Sequence, residues 1–236
     1  MQGHDSMEST TLKNMSKGLL SVSLMCADLL NIEHDVRAID TCGTDYFHVD
    51  LMDSRFVPNL TFGPDFVNSL RRITKTPLDI HLLMERPGII IRSLNIGHGD
   101  MVTIHSECQE NILEDVAFVR QRGAKVGLAL NPDTAIDSVQ NLLPYADMIL
   151  LMLITPGFAG TSVIHGMMEK VAAVRQYLDR QHYENILIGV DGSVSCDRAM
   201  RLKKQGASLF VGGSTGIFIQ GRELADTIAA FKKSIA

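Results

Sequence analysis

Short apolar segments rich in branched residues alternate with amphipathic segments eight times along the chain. The apolar segments are continuously hydrophobic, which is typical of parallel strands buried on both faces. They predict strands at Leu19–Met25, Tyr46–Val49, Leu78–Leu82, Met101–Ile104, Lys125–Leu130, Met148–Met152, Ile186–Val190 and Leu209–Val211. The amphipathic segments predict helices at Ile32–Ile39, Pro64–Arg72, Gly88–Ile96, Glu110–Gln121, Thr134–Leu142, Gly166–Asp179, Ser195–Lys204 and Glu223–Ser234.

These strand–helix units follow one another at a spacing of about thirty residues, and no break in composition divides them. Eight such units in one run predict an α/β fold, a single (β/α)8 TIM barrel of parallel strands that covers residues 18–236. An open doubly wound sheet is the alternative fold. It usually has fewer units at this length, and the GxGxxG fingerprint of dinucleotide-binding sheets is missing after the first strand.

Composition and charge narrow the class of protein. The chain has 236 residues, of which 45% are hydrophobic and 21% charged, as in ordinary globular proteins. A net charge of -5 without a basic cluster argues against nucleic acid as a partner. No apolar run reaches the ~20 residues of a membrane-spanning helix. We therefore expect neither a nucleic acid nor a membrane as a partner.

The N-terminus and the cysteines bear on the compartment. Residues 1–17 are polar, with neither an apolar core nor a cleavage pattern, so they predict a disordered tail rather than a secretory signal. The cysteines are widely spaced and form no CxxC motif: Cys26, Cys42, Cys108 and Cys196. In a chain of this size that pattern favours reduced thiols and a cytoplasmic protein over disulfides.

Four side chains with metal-binding chemistry stand at the carboxyl ends of three predicted strands. They are His48 and Asp50 in YFHVDLMD, His81 in PLDIHLLM, and Asp191 in IGVDGS. Side chains alternate faces along a strand, so His48 and Asp50 point the same way. A lone histidine in a strand is more often a core residue, and a lone aspartate after a strand is often a helix N-cap. Together, however, two imidazoles and two carboxylates predict a site for a divalent metal such as zinc, and the carboxylates could also move protons.

Glycine-rich turns follow the last three predicted strands, at Thr155–Gly160 (TPGFAG), Asp191–Ser193 (DGS) and Gly212–Gly216 (GGSTG). Glycines let backbone N–H groups approach a bound anion, and the start of a following helix adds favourable partial charge. Barrels frequently bind phosphate with the loops after strands seven and eight. A simple tight turn would explain any one of these segments, but three adjacent ones predict a phosphate site formed by the loops after strands 6–8.

Longer segments spread over most of the predicted strands carry a more specific signal. They are SLMCADLL (Ser23–Leu30), FHVDLMDSRFVPNLTFGP (Phe47–Pro64), DIHLL (Asp79–Leu83), LNP (Leu130–Pro132), LLMLITPGFAG (Leu150–Gly160), VDGS (Val190–Ser193) and FVGGSTGIF (Phe210–Phe218). In these segments the chain resembles the ribulose-phosphate 3-epimerase family. The resemblance implies an isomerase that inverts C3 of a ketose phosphate, beside the C2 carbonyl.

The resemblance also implies roles for single residues. Asp50 and Asp191 match the family's catalytic acid–base pair, and with His48 and His81 they match its metal ligands. Residues expected to contact the substrate or its phosphate are Ser23, Met52, His81, Met152, Gly157, Gly160, Gly192, Ser193, Gly213 and Ser214. His105 matches a histidine after strand four, where Ser106 replaces the usual proline.

Cofactor, partner and substrate follow from the same resemblance. We expect one divalent transition metal, zinc first and manganese, cobalt or iron as alternatives, and a homo-oligomer that binds a small sugar phosphate. SLMC, PGFAG, VDGS and GGSTGIF are more similar to epimerases of D-allulose 6-phosphate than to the pentose-phosphate enzymes. Departures from the family at Leu83, Thr155 and Ser193 flank the substrate. We therefore expect D-allulose 6-phosphate and D-fructose 6-phosphate as the substrate pair, with D-ribulose and D-xylulose 5-phosphates as the alternative.

The implied mechanism removes the C3 proton and passes through an ene-diolate. Asp50 and Asp191 would act from opposite sides, one as base and the other as acid, so that the configuration inverts. A lyase or decarboxylase is a competing class, but such phosphate-binding barrels generally use a strand-end lysine, which this chain lacks. A non-catalytic barrel that binds sugar phosphates is the remaining alternative, and the presence of all four ligand-type residues argues against it.

Overall fold

The computed structural model describes residues 17–108 and 112–236, which form a closed barrel of parallel strands in the order β1 to β8. The strands are β1 Leu19–Ser23, β2 Tyr46–Met52, β3 Leu78–Leu83, β4 Met101–His105, β5 Lys125–Leu130, β6 Met148–Met152, β7 Leu187–Asp191 and β8 Leu209–Gly212. The α-helices are α1 Ile32–Thr41, α2 Pro64–Leu70, α3 Pro87–Ile91, α4 Ile112–Gln121, α5 Met167–Arg180, α6 Cys196–Lys204 and α7 Leu224–Ser234. The predicted TIM barrel is confirmed.

The barrel closes between its first and last strands. Leu19 to Val22 of β1 pair in parallel with Leu209 to Gly212 of β8. Just before β1, the Gly18 N–H donates to the Ile235 carbonyl after α7, over 2.8 Å. The two ends of the barrel are therefore bonded directly to each other. The predicted tail lies outside the described residues except for Lys17.

β2 is longer than the sequence predicts, because it continues through Asp50 to Met52. These residues pair with His81 to Leu83 of β3, so the chain stays in the sheet beyond its first polar positions. Every residue of β2 is buried. Asp50 is therefore a buried residue within β2, near the mouth of the barrel, and does not mark the end of the strand.

The predicted helix at Thr134–Leu142 is wrong. Two short 3₁₀ turns, Ile136–Val139 and Leu143–Tyr145, take its place. The Ser138 hydroxyl bonds to the Ala135 carbonyl, a local bond that competes with helical pairing. Pro144 lacks an N–H, so it cannot donate within a continuing helix.

Helix α3 is shorter than the predicted Gly88–Ile96, since it ends at Ile91. Asn68 bonds to both sides of the following segment: its amide donates to the Ser93 carbonyl, and its oxygen accepts from Asn95 N–H. These bonds tie the chain to α2 instead of letting the helix continue. The predicted helix start at Glu110 lies among residues 109–111, which are outside the described part, and α4 is described from Ile112.

Hydrophobic side chains fill both sides of the barrel wall. Alternate residues of β6 show the arrangement: Ile149 and Leu151 pack in the large core beneath the helices, whereas Met148, Leu150 and Met152 pack in a smaller cluster with residues of other strands. This two-sided burial explains why the strands read as continuous apolar runs.

Among the described residues, no helix is both long and apolar enough to cross a membrane. The homo-oligomer and the cytoplasmic location stay predictions.

Candidate active site

Three strands bring the predicted metal ligands together. The parallel register pairs Asp50 of β2 with His81 of β3, and His48 lies two residues earlier on the same face of β2. Asp191 is the last residue of β7. One nitrogen or carboxylate oxygen from each of the four residues lies within 4.8 Å of the others. We refer to His48, Asp50, His81 and Asp191 as the ligand cluster.

The two histidines turn different nitrogens toward the carboxylates. His48 Nε2 lies 3.1 Å from Asp50 Oδ1 and 4.0 Å from Asp191 Oδ2. His81 Nδ1 lies 3.0 Å from Asp50 Oδ1 and 4.0 Å from Asp191 Oδ2. A tetrahedral zinc site with bonds of about 2.0–2.2 Å separates its ligand atoms by about 3.3–3.6 Å. The donor set and the spacing of the cluster therefore fit a divalent transition metal.

Burial and charge act strongly on these groups. Burial alone lowers the pKa of His48, but the charges of Asp50 and Asp79 raise it well above its ordinary value. Burial opposes ionisation of Asp50, yet His48 and His81 hold the pKa of that carboxyl far below its usual range. Burial lowers the pKa of His81 to about 4.

Asp191 behaves differently from Asp50. Burial raises the pKa of its carboxyl to about 7, and the charge of Asp50 adds to the shift. In the metal-free protein the two carboxylates of the cluster thus differ in basicity.

Asp79 was not assigned a role from the sequence. It is fully buried, and its Oδ2 lies 2.8 Å from His48 Nδ1 and accepts a 2.9 Å hydrogen bond from the Ser21 hydroxyl. A carboxylate on the far nitrogen of a ligand histidine orients the ring and fixes its tautomer. The signal was present in DIHLL, because Asp79 and His81 stand two residues apart on one face of β3.

A pocket at the carboxyl ends of the strands gives access to the cluster. Asp50 and Asp191 line this pocket, whereas the side chains of His48 and His81 have no exposed surface. The other substrate-contact residues predicted from the sequence lie on its wall: Ser23, Met52, Met152, Gly157, Gly160, Gly192, Ser193, Gly213 and Ser214. Leu83 also lines it, while Thr155 lies in a neighbouring pocket. The carboxylates therefore face the cavity and the imidazoles hold them from behind.

The loops after β6 and β7 meet at one side of this pocket. Gly157 and Gly192 have φ angles of 120° and 111°, which side chains rarely adopt. Ser193 follows with φ of 51°, and its hydroxyl donates to the Thr161 carbonyl. The Asn59 amide from the loop after β2 donates to the Gly157 carbonyl over 2.7 Å. These bonds fix the backbone turns that border the pocket.

Residues 19–218 match the model of the ribulose-phosphate 3-epimerase family. This chain belongs to that family. Ribulose-phosphate 3-epimerase of Bacillus subtilis is 33% identical over 192 residues, which cover 81% of this chain and 88% of the relative. The Synechocystis enzyme of the same name is 33% identical, covering 93% of this chain and 96% of the relative. The chloroplastic Arabidopsis thaliana enzyme is 34% identical, covering 92% and 76%.

The family membership makes the chain an epimerase of the isomerase class. Solved structures with low sequence identity show the barrel fold alone. A tryptophan synthase structure from Mycobacterium tuberculosis aligns with a TM-score of 0.67 and 12% identity, covering 96% of this chain and 95% of that one. Thiamine phosphate pyrophosphorylase from Pyrococcus furiosus aligns with a TM-score of 0.64 and 11% identity, covering 94% and 97%.

Proposed function

We propose that this epimerase interconverts D-ribulose 5-phosphate and D-xylulose 5-phosphate, with Asp50 and Asp191 as the acid–base pair. The observation that carries the mechanism is the orientation of the cluster. Both carboxylates line the pocket, and both imidazoles are buried behind them. A substrate in the pocket would therefore meet two proton-transfer groups rather than the two anchoring rings.

Inversion at C3 requires a proton to leave one face of the carbon and another to arrive at the opposite face. Asp50 comes from β2 and Asp191 from β7, so the two carboxylates approach the pocket from different parts of the barrel. One accepts the C3 proton and the other returns one to the ene-diolate, each at a carboxylate oxygen.

The metal is the second part of the proposal. His48, Asp50, His81 and Asp191 would hold one divalent ion, for which zinc is the first choice. When bound, such an ion supplies Lewis acidity that stabilises negative charge developing on the substrate oxygens. The chain's own share is to hold the two rings behind the carboxylates and to keep Asp50 and Asp191 at the pocket wall.

The phosphate would lie against the turns at Gly157–Gly160, Gly192–Ser193 and Gly213–Ser214, which border the same pocket as the carboxylates. Met52, Met152 and Leu83 form an apolar wall beside them, and these side chains are at most 6% exposed. Such a wall excludes water from the reacting carbons. The pocket thus offers a polar turn region for the phosphate and a dry region for the chemistry.

The names of the similar proteins support the choice of the pentulose phosphates as the substrate pair. The Bacillus, Synechocystis and Arabidopsis relatives are all named for ribulose phosphate. The preference for D-allulose 6-phosphate that the sequence suggested gains no support from them, and we retain it as the second candidate because Leu83 and Ser193, which depart from the family, line the pocket.

Parallel kcat/KM values for the pentulose and hexulose phosphate pairs test the proposal. We expect the pentuloses to be turned over faster, and product formed in deuterated water to carry deuterium at C3. Asp50→Asn should lose several orders of magnitude of activity, more than the ~10²–10⁴ of acid–base catalysis alone, because it also serves the metal. Exposed Asp137→Asn is the matched control. A large advantage for the hexuloses would overturn the substrate choice, and metal-loaded protein that epimerises neither pair would overturn the activity.

A further inference from the structure

His105 at the end of β4 lies directly behind the ligand cluster. Its side chain is fully buried, and its Nε2 lies 3.0 Å from His81 Nε2. The rings of His81 and His105 stack with their centroids 5.0 Å apart. The Phe56 ring also contacts His105, and the centroids of these two rings are 4.6 Å apart. On its far side, His105 Nδ1 lies 3.1 Å from Glu107 Oε2. His81, His105 and Glu107 therefore form a continuous row of hydrogen-bonded side chains.

The row permits one arrangement of protons when a cation occupies the cluster. His81 turns Nδ1 toward Asp50 and Asp191, so that nitrogen must be unprotonated to bind the cation. The ring proton of His81 is then on Nε2 and is donated to His105 Nε2. A nitrogen that accepts carries no proton, so His105 carries its own on Nδ1 and donates it to Glu107. Each donor thus meets an acceptor, and the row ends on a carboxylate.

Glu107 is held in place from the opposite side. Its Oε1 accepts from the Asn131 N–H over 2.8 Å and from the Thr134 hydroxyl, both in the loop after β5. Lys170 of α5 in turn donates to the carbonyls of that loop, at Asn131 over 2.9 Å and at Thr134 over 2.7 Å. Although burial opposes its charge, the bonds from His105, Thr134 and Asn131 lower the pKa of Glu107 to about 2. The last acceptor of the row is therefore a fixed anion.

We propose that His105 and Glu107 are positioning residues that set the tautomer and ring orientation of His81 so that Nδ1 faces the metal. This inference rests on the proposed metal role of the ligand cluster. It assigns to the 3₁₀ loop after β5, which carries no ligand of its own, the task of anchoring the far end of the row. Glu107 acts on the metal only through the two imidazoles.

Glu107→Gln tests the proposal because it keeps size and changes one atom. The Asn131 N–H can only donate, so the glutamine oxygen turns to it and the amide NH₂ faces His105 Nδ1. His105 must then carry its proton on Nε2 and donate to His81, which places the His81 proton on Nδ1. We expect zinc affinity, measured by chelator competition without any substrate, to fall about 10–100-fold.

Thr134→Val is the matched control. It removes the other side-chain donor to Glu107 but keeps the carboxylate, the Asn131 bond and the bond to His105. Because the Asn131 N–H still anchors Oε1 and the carboxylate still accepts from His105, we expect its zinc affinity to stay within about twofold of wild type. The metal-free melting temperatures of both variants should fall by similar small amounts. Equal losses of zinc affinity in the two variants would contradict the proposal, because they would show that the row only stabilises the fold and does not set the tautomer of His81.

A second readout follows the protons directly. In zinc-loaded protein labelled with ¹⁵N-histidine, the ring nitrogen shifts of His105 should report a neutral ring protonated at Nδ1. Finding the His105 proton on Nε2 would overturn the proposal even if zinc affinities behave as expected. Wild-type protein that takes up no metal would overturn it together with the metal role. Wild-type protein that binds metal but epimerises no sugar phosphate would overturn the proposed activity alone.

Discussion

The two imidazoles of the ligand cluster depend on residues that touch neither the pocket nor the carboxylates in front. His48 is held through Nδ1 by Asp79, and Asp79 is held by the Ser21 hydroxyl. Asp79 is fully buried, and its Oδ1 has no hydrogen-bond partner among the described residues. A buried carboxylate with an unsatisfied oxygen is costly to the fold, so its place beside His48 of the ligand cluster is better explained by the site than by stability.

We expect Asp79→Asn to weaken metal binding by about 10–100-fold, because a neutral amide oxygen is a weaker acceptor than a carboxylate for the His48 Nδ1 proton and so holds the ring less firmly. Asp100→Asn is the matched control, since Asp100 is also buried but accepts from Leu78 N–H and Gly97 N–H at the opposite end of the strands. Chelator competition and thermal melting on both variants separate the effects. A loss of melting temperature without loss of metal affinity at Asp79 would contradict the role.

Asp191 should trade stability for function. Burial raises its pKa from 3.8 to about 7, so in the folded metal-free protein the carboxyl is mostly protonated at pH values below about 7. The charged form then costs stability progressively as pH rises from near 4 to near 7. Metal-free Asp191→Asn should therefore melt higher than metal-free wild type at pH 8 and nearly equally at pH 4. With zinc present, the order at pH 8 should reverse. A variant that melts lower than metal-free wild type at pH 8 would contradict this.

The sequence identified the four ligand-cluster residues because strand alternation and strand-end position place them on one surface. The role of Asp79 could not be predicted in the same way. The alternation of side chains along a strand shows which residues share a face, but not which polar groups of neighbouring strands touch. Likewise, HSE (His105–Glu107) showed a histidine at a strand end, but nothing in it revealed that His105 meets His81 across β3 and β4. Contacts between strands depend on register, and register was not predicted.

At the scale of elements, the strands carry the ligand cluster and the loops after them border the pocket. The loops after β6, β7 and β8 border the pocket on one side, and the loop after β2 supports them through Asn59 and Val57. The sequence predicted these turns from glycine positions. It did not predict the 3₁₀ segment after β5, because an amphipathic stretch of that length matches a helical period until the bonds of Ser138 and the proline are known.

Two glycines in these loops should respond differently to alanine. A Cβ at Gly213 would lie 3.1 Å from Cys26 Sγ, a contact that a small shift relieves. A Cβ at Gly192 would lie 2.6 Å from the Ile154 side chain at a φ of +111°. We expect Gly213→Ala to raise KM and weaken competitive inhibition by inorganic phosphate without a change in melting temperature, while Gly192→Ala lowers the melting temperature. Unchanged KM in Gly213→Ala would argue against phosphate at this turn.

At the scale of the whole barrel, the end opposite to the active site repeats one device four times. A polar side chain just before an even-numbered strand accepts a hydrogen bond from the start of the preceding strand. The pairs are Asp45 with Leu20 N–H, Asp100 with Leu78 N–H, Asp147 with Val126 N–H and Ser208 with Ile188 N–H. Stability is thus supported at the amino ends of the strands, and chemistry is left to the carboxyl ends.

Removing one of these acceptors should lower stability and leave catalysis intact. Asp147→Ala leaves the Val126 N–H and Arg120 without their carboxylate, and we expect a loss of about 1–3 kcal/mol in the free energy of unfolding. Exposed Asp137→Ala should cost much less. Denaturant unfolding and kcat/KM measured on both variants check this. A fall in kcat/KM of the folded Asp147→Ala protein would show that the two ends of the barrel are coupled.

The bond between Gly18 and Ile235, and the pairing of β1 with β8, have a consequence for biosynthesis. The first strand to leave the ribosome needs the last one as its neighbour. While the six intervening strands, β2 to β7, are made, one edge of β1 therefore stays open to any other strand that reaches it. The ring can close only after β8 emerges, so the incomplete barrel exposes an unpaired strand edge that the finished enzyme does not.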